Sequence, residues 1–334
     1  MRVLVLGGTG LISTGITRQL LARGDDVTLL RRGTGADAFG AAVTTVRGDR
    51  GDVAALRAAW GRGHDAVIDM LCFTPDDVRA ALLAFGGAAP HYIMCSTVDV
   101  YSKPARYLPV DERHEREPTP AFRYGYDKAR CEELLLAAHA RGDLPLTLIR
   151  PAATYLDTAV PSIGSFDLAV ERLMAGAPVI LHGDGGSRWA ACHRDDVARA
   201  FVAATATAAR GRAYNVTGHE ALTFEGYWRA VADALGVTPR FVHIPADVLG
   251  GCAPRAAHWC VRNFQYDNVF DCSAAARELG FASTVAWADG IARGLPDRVP
   301  RPVDPAQRAG YEAIVDSWQR ATASMRDDLM ARNL

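Results

Sequence analysis

The chain opens Met1-Arg2-Val3-Leu4-Val5-Leu6-Gly7-Gly8-Thr9-Gly10-Leu11-Ile12-Ser13, and the order of residue types in that stretch decides the fold. Val3 to Leu6 is a short apolar run suited to a strand buried on both faces, and the pattern from Leu11 to Arg23 is helical. Glycines between the two permit a tight turn. They let the backbone approach a pyrophosphate held at the helix N-terminus, where free N–H groups and the helix dipole favour an anion. A glycine pattern alone is weak evidence. Its place inside the first βαβ unit makes it a dinucleotide-binding loop, with Gly7, Gly10, Leu11 and Ile12 against the cofactor. Ser13 stands where a third glycine is usual and keeps a small residue at the helix–sheet contact.

Working outward, the same alternation continues. Val27 to Leu30, Val43 to Val46, Ala66 to Ile68, Tyr92 to Cys95 and Leu146 to Ile149 read as buried strands. Val53 to Trp60, a segment opened by Thr74-Pro75 as cap and first-turn proline, and Tyr124 to His139 read as helices. Repeated βα units predict an α/β fold, a Rossmann-type doubly wound parallel sheet over residues 1–155. The rhythm changes after Pro151. A smaller substrate lobe is expected over 156–334, with helices near Ser165 to Met174, Asp195 to Ala208 and Phe224 to Leu235. The chain is expected to return to the first domain near 190–217 and 266–282. From Pro305 onward Tyr311, Ile314, Val315, Trp318, Met325 and Leu329 form one apolar stripe of a helix. Packing against the body is the expectation for it, with a homodimer contact as the alternative.

Composition bounds the function. The 334 residues hold 37 Lys+Arg against 38 Asp+Glu, a formal net charge of −1, and 49% are hydrophobic. That excludes a basic nucleic-acid binder and a disordered chain. No apolar run approaches the roughly 18 residues of a membrane span, and Gly7 and Gly8 break the opening run too early for a secretory core. A cytoplasmic protein is expected. Seven cysteines with no C-x-x-C read as reduced thiols, and nine histidines without ligand spacing predict no protein-bound metal.

Two further positions bear on the cofactor. The second strand ends Leu29-Leu30-Arg31-Arg32-Gly33, with Arg31 where an Asp or Glu would hold the adenosine ribose 2'-OH. Arginine cannot accept from that hydroxyl but can pair with a 2'-phosphate, so Arg31 and Arg32 favour NADP over NAD. Asp49 and Arg50, after the third strand, join the expected cofactor set. Asp49 is placed to accept from the adenine amino group; as a plain turn aspartate it needs no ligand.

The chemistry is expected in Tyr124-Gly125-Tyr126-Asp127-Lys128. A spacing of four puts Tyr124 and Lys128 on one helical face. A lysine beside a phenol favours the phenolate and turns a group that titrates near 10 into a usable base. The hydroxyl pair Ser96-Thr97 just past the fifth strand makes the motif specific.

With these residues the chain resembles the extended branch of the short-chain dehydrogenase/reductase superfamily, the NAD(P)-dependent sugar epimerases and dehydratases. The likeness also runs through Ser96 to Tyr101, Arg150-Pro151, Gly183-Asp184-Gly185, His193 to Ala198, Tyr214-Asn215-Val216 and Glu278 to Phe281. It implies Thr97 as the catalytic hydroxyl, Tyr124 as general acid/base and Lys128 on the nicotinamide ribose, with Met70, Leu71 and Pro151 lining the cofactor.

Departures from the family pattern narrow the reaction. Dehydratases resemble Thr-Asp-Glu where this chain has Thr97-Val98-Asp99, so one carboxylate is missing. Asp99 is either an extra acid/base group or a loop-capping carboxylate. Ala153 stands where many nucleotide-sugar enzymes carry a substrate-binding Asn, and Arg188 is only an approximate counterpart of the diphosphate-binding arginine. Trp189 either stacks on a sugar or base or fills the core. The expected function is an NAD(P)-dependent epimerase that inverts a secondary alcohol on a sugar ring of a nucleotide sugar or nucleoside through a keto intermediate. The alternatives are an NADP-dependent ketoreductase or a dehydratase. A different class is a non-catalytic cofactor-binding or RNA-associated protein; relatives of that kind usually lose the tyrosine or lysine, and both are present here. The expected partner is a sugar-containing small molecule, with no nucleic acid and no membrane.

Overall fold

The computed structural model describes residues 1–33, 38–61, 63–206 and 209–332. The chain divides into two compact units. The first comprises Met1–Leu156, Ala190–Glu220 and Val269–Ala286; the second comprises Asp157–Trp189, Ala221–Asn268 and the chain from Trp287 onward.

In the first unit, β1 (Arg2–Leu6), β2 (Asp26–Arg31), β3 (Thr44–Arg47), β4 (Ala66–Asp69), β5 (Tyr92–Cys95) and β6 (Leu146–Pro151) join the strand Arg212–Val216 in one sheet. The order across it is Arg212–Val216, β6, β5, β4, β1, β2, β3. Every neighbouring pair is parallel. The order reverses beside β1, which makes this the doubly wound parallel sheet read from the sequence and puts the switch point at the glycine loop.

Each strand is apolar along its length because both faces of the sheet are covered. Val3 and Val5 pack in one core with Ile16 and Leu20 of α1 (Leu11–Ala22) and with Val197 and Phe201 of the helix Arg194–Ala206. Leu4 and Leu6 face the other core. Leu56 of α2 (Val53–Trp60), Val78 of α3 (Pro75–Phe85) and Leu135 of α4 (Arg123–Ala140) fill it. Thr74 and Asp77 close a reciprocal capping box at the start of α3, with Pro75 in the first turn. The helix read to Ala208 is described to Ala206; residues 207 and 208 lie outside the described residues.

The second unit holds the helices Phe166–Met174 and Phe224–Ala234, a parallel pair of strands, Val179–His182 and Phe241–Ile244, and the helix Pro305–Ala331. That last helix corrects the reading of its stripe. Tyr311 and Val315 are buried, and the Tyr311 hydroxyl accepts from Ile180 N at 2.6 Å, but Met325 and Leu329 are exposed. Core packing takes only the first turns, because the helix runs on past the elements it docks against.

Two buried histidines make the fold acid-sensitive. His91 lies against Thr147 Oγ1 at 2.8 Å, and His182 against Ser162 Oγ and Phe264 O, each at 2.9 Å. Burial pushes both rings down to about 4. Between that value and the ordinary histidine range the unfolded chain binds protons that the folded chain refuses, so stability is present at neutral pH and falls as pH drops from about 6.5 to about 4, by roughly 3 kcal/mol per ring at the acid limit. The urea midpoint is expected to fall steeply between about pH 7 and about pH 5. A flat midpoint over that window would count against both assignments.

Candidate active site

The glycine loop has the shape of a phosphate cradle. Gly7 and Gly8 both adopt positive φ, +112° and +94°, which side chains disfavour. A Cβ on Gly7 would fill the space beside Leu71 Cγ and Met70 Cβ, at 3.5 and 3.6 Å, and one on Gly8 would strike Leu29 Cδ2 at 2.6 Å. Gly10 caps α1 and donates its N–H to Ser13 Oγ at 2.8 Å, so Ser13 completes the cap rather than leaving a gap. Leu11 and Ile12 follow as the first turn, with backbone N–H groups that have no partner within the helix. The loop fits a dinucleotide pyrophosphate.

Arg31 ends β2 and pairs in register with Arg47 of β3, while Arg32 is exposed just beyond. A Cβ on Gly33 would lie 3.3 Å from Arg47 Nε, so a third arginine closes on the same turn. Asp49 is exposed and turns its Oδ1 to Gly51 N at 2.8 Å. Arg50 corrects the sequence reading. Its guanidinium is buried on the Asp69 carboxylate, which also accepts from the Tyr92 hydroxyl at 2.5 Å and from Leu71 N at 2.9 Å. Two buried charges that close are held by each other, so Arg50 supports the Met70–Leu71 segment from beneath, while its Nε and Nη1 are buried without a hydrogen-bond partner among the described residues.

The hydroxyl, phenol and lysine come together at the C-terminal end of β5. Thr97 caps a short helical turn, Val98–Val100, and accepts from Asp99 N at 3.2 Å; its own hydroxyl donates to Asp99 Oδ2 at 3.1 Å. Gly125 is what lets α4 approach. A Cβ there would sit 2.3 Å from the Asp99 carbonyl oxygen. The neighbouring Tyr124 is thereby brought beside Thr97. Ser96 is turned away and donates to Glu132 Oε1 at 2.6 Å, which leaves Thr97 as the hydroxyl facing the phenol.

The expected electrostatics of the phenol are reversed. Burial first, and then the Asp99 charge, push Tyr124 well above the ordinary phenol value, and only the Thr97 hydrogen bond pulls the other way. Lys128 is buried one turn on, with Nζ donating to the Cys95 carbonyl at 2.7 Å and lying 4.5 Å from the Phe73 ring centroid. The phenol is thus held as an acid in the protein alone. Asp99 belongs to the site: it is buried, and its carboxylate faces Thr97 and Lys103 Nζ, the latter at 3.7 Å.

Lys103 was missed in the sequence, although a signal was there. Of the 37 basic residues, 35 are arginine and two are lysine, Lys103 and Lys128, and both lie here. Glu132 was missed as well. It is buried between Arg150, whose Nε and Nη2 donate at 2.8 and 2.6 Å, Arg116 at 2.7 Å and Ser96. Arg150 also meets the Tyr101 hydroxyl at 2.8 Å, and that hydroxyl donates to Asn215 Oδ1 at 2.7 Å. Motif residues Tyr101, Arg150 and Asn215 therefore form one buried frame under Thr97.

The expected substrate residues are less uniform. Pro151 ends β6, and Ala153 begins the three-residue strand Ala153–Tyr155, paired with Ala191–His193. Trp189 is a core residue of the second unit, edge-on to Phe224, Tyr227 and Phe264, so no indole face is left for a sugar. Arg188 is exposed on the adjoining strand, with Nη1 3.4 Å from the Ala221 carbonyl. Among the described residues no group of three or more His, Cys, Asp or Glu could hold a metal ion, and no helix is long and apolar enough to cross a membrane.

The model of the "NAD dependent epimerase/dehydratase family" matches residues 77–217, which include Thr97, Tyr124 and Lys128. The chain is 31% identical over 278 residues to the 2'-dehydrokanamycin reductase of Streptomyces kanamyceticus, covering 81% of this chain and 77% of that protein. The chain belongs to the NAD-dependent epimerase/dehydratase family. A chloroplast stem-loop binding protein of Arabidopsis thaliana is 28% identical over 258 residues, 72% of this chain and 65% of its own length. The fold is that of a solved UDP-glucose 4-epimerase from Stenotrophomonas maltophila with bound NAD, at a TM-score of 0.71 and 20% identity, covering 94% of this chain and 99% of that one. Membership makes the protein an NAD-dependent enzyme of the epimerase, dehydratase and reductase class.

Proposed function

We propose that the protein reduces a ketone on the ring of a sugar or small glycoside to a secondary alcohol, with Tyr124 as proton donor. The observation that carries the reading is the close approach of α4 to the Val98–Val100 turn at Gly125, which sets the Tyr124 phenol beside Thr97 and Asp99. A bound reduced nicotinamide dinucleotide supplies the hydride. The chain's own residues do the rest. Thr97 and Tyr124 converge on the carbonyl oxygen, orient it and polarise it, and Tyr124 gives it a proton as negative charge develops. Lys128, whose Nζ donates to the Cys95 carbonyl, would hold the cofactor ribose. The single carboxylate, Asp99, is paired with Lys103, which speaks against expulsion of water.

The likeness to a reductase favours reduction over the epimerisation expected from sequence. Ala153, and Arg188 as only an approximate counterpart of the family's diphosphate-binding arginine, favour a substrate without a nucleoside diphosphate. Epimerisation remains the second reading because Val98 and Ala153 leave few polar contacts to stop a keto ring from turning. Incubation with keto-sugars and reduced cofactor deuterated at nicotinamide C4 separates them. Reduction consumes cofactor one for one and carries deuterium to the new carbinol. Accumulation of an inverted alcohol without net cofactor change would overturn reduction in favour of epimerisation.

Arg31, Arg32 and Arg47 support a preference for the phosphorylated cofactor, since each arginine can pair with a 2'-phosphate. NADPH is expected to bind at least tenfold more tightly than NADH, about 1.4 kcal/mol, and Arg31→Asp to remove the difference. Calorimetry on both proteins checks it; equal binding by the wild type would refute the preference.

A further inference from the structure

Both lysines of a chain otherwise supplied with arginine lie in one site, Lys128 buried and Lys103 partly so. Arginine serves wherever a fixed charge is wanted and cannot be deprotonated in a protein; lysine can lose its proton when buried. Lys128 has its family role, so Lys103 is the lysine without one. Its side chain is only 11% exposed, and its Nζ lies 3.7 Å from Asp99 Oδ1. Asp99 Oδ2 takes the Thr97 hydroxyl at 3.1 Å, and the Tyr124 phenol stands beside Thr97. The four side chains form a continuous polar line from the loop after β5 to the phenol.

We propose that Lys103 is the proton reservoir behind Tyr124, refilling the phenol through Asp99 and Thr97 after each transfer to substrate. The inference rests on the reductase reading for its direction. In the step, the Tyr124 O–H bond breaks and the proton joins the substrate oxygen. The Thr97 hydroxyl swings from Asp99 to the phenolate and gives it a proton. The Lys103 ammonium passes one proton to the Asp99 carboxylate, which hands it to Thr97. Phenol, hydroxyl and carboxylate end as they began, Lys103 ends as a neutral amine, and solvent restores its proton.

Burial brings Lys103 down to about 8, and Asp99 keeps it from falling further, so both protonation states are within reach near neutral pH. Asp99 on the helical turn is a charged group that faces it, and Tyr124 on α4 lies beyond Asp99. On its own loop Arg106 and Glu115 pair with each other in solvent. Lys103 acts through other groups and is a positioning residue for the proton, not a catalytic one.

Two lysines make a direct test possible. Protein labelled with carbon-13 at lysine Cε gives two resonances, and Lys103→Arg identifies one by its loss. The Lys103 signal is expected to titrate near 8 in wild type and lower in Asp99→Asn. In the ketone reduction assay, turnover of wild type falls as Lys103 deprotonates. Lys103→Met and Lys103→Arg should both lack that limb and run about 10- to 100-fold slower near neutrality, with little change in KM. The arginine variant is decisive, because it restores the charge on Asp99 without a proton to give. Full activity in Lys103→Arg, or a Lys103 resonance titrating near the ordinary lysine value, would overturn the proposal. Absence of any ketone turnover, with Lys103 titrating near 8 and responding to Asp99→Asn, supports the reservoir and speaks instead against the reaction assigned to it.

Discussion

Tyr124→Phe is expected to lower turnover on the order of 100- to 10,000-fold while the urea midpoint stays where it is, the range that a positioned general acid contributes. The substitution removes one oxygen and keeps the ring, so the aromatic contact with Phe122 at 6.4 Å survives. What it takes away is the only proton donor that Thr97 orients. Cofactor binding should be nearly unchanged, since Lys128 is untouched on the Cys95 carbonyl. Lys128→Met should differ in kind: comparable loss of turnover with weaker cofactor binding, because the cation that holds the ribose is gone. A folded Tyr124→Phe protein that reduces ketones at close to the wild-type rate would remove the phenol from the mechanism.

The placement of these residues was legible in the sequence to different depths. The parallel sheet could be read because strands buried on both faces are continuous apolar runs, and Gly7 to Gly10 marks the switch point. The convergence of Thr97 and Tyr124 could be anticipated from the spacing of four and the hydroxyl after β5. What stayed hidden were contacts made across the sheet. Nothing local tells that Arg50 is held by Asp69, 19 residues away, or that Trp189 is buried among aromatic residues 35 or more positions on. The phenol was misjudged for the same reason. Helical spacing puts a lysine on its face, but burial and the Asp99 charge depend on how closely α4 approaches the Val98–Val100 turn. That approach rests on Gly125 lacking a Cβ.

Glu132→Gln is expected to cost about 3 to 5 kcal/mol of stability, as removal of one partner from a buried ion pair does. Glutamine has the shape of glutamate and can still accept from Ser96 through its oxygen, but its amide nitrogen cannot accept from Arg150 Nη2 and Arg116 Nη1, so the loss is of charge and of those two bonds. The Arg150 side chain is 2% exposed and has Glu132 as its only charged partner among the described residues, two of its nitrogens donating to that carboxylate. With the charge gone, a buried guanidinium loses the carboxylate it is paired with. Those guanidinium contacts, together with the Ser96 bond, outweigh burial and hold Glu132 below the usual carboxylate range, so the wild-type pair is charged throughout the neutral range. Arg116→Ala is the control. Its side chain is 30% exposed, and solvent screens what its loss uncovers, so about 1 kcal/mol or less is expected. A second control removes both buried charges. Glu132→Leu with Arg150→Met leaves no orphan and should recover much of the loss, though Tyr101 would surrender its guanidinium partner. The effect should also reach the chemistry, since Ser96 is tied to Glu132 and the next residue is Thr97. Urea unfolding of the three proteins decides the matter. If Glu132→Gln lies within about 1 kcal/mol of wild type, as exposed pairs do, Arg150 is solvated on its other side and the frame beneath Thr97 does not depend on this pair.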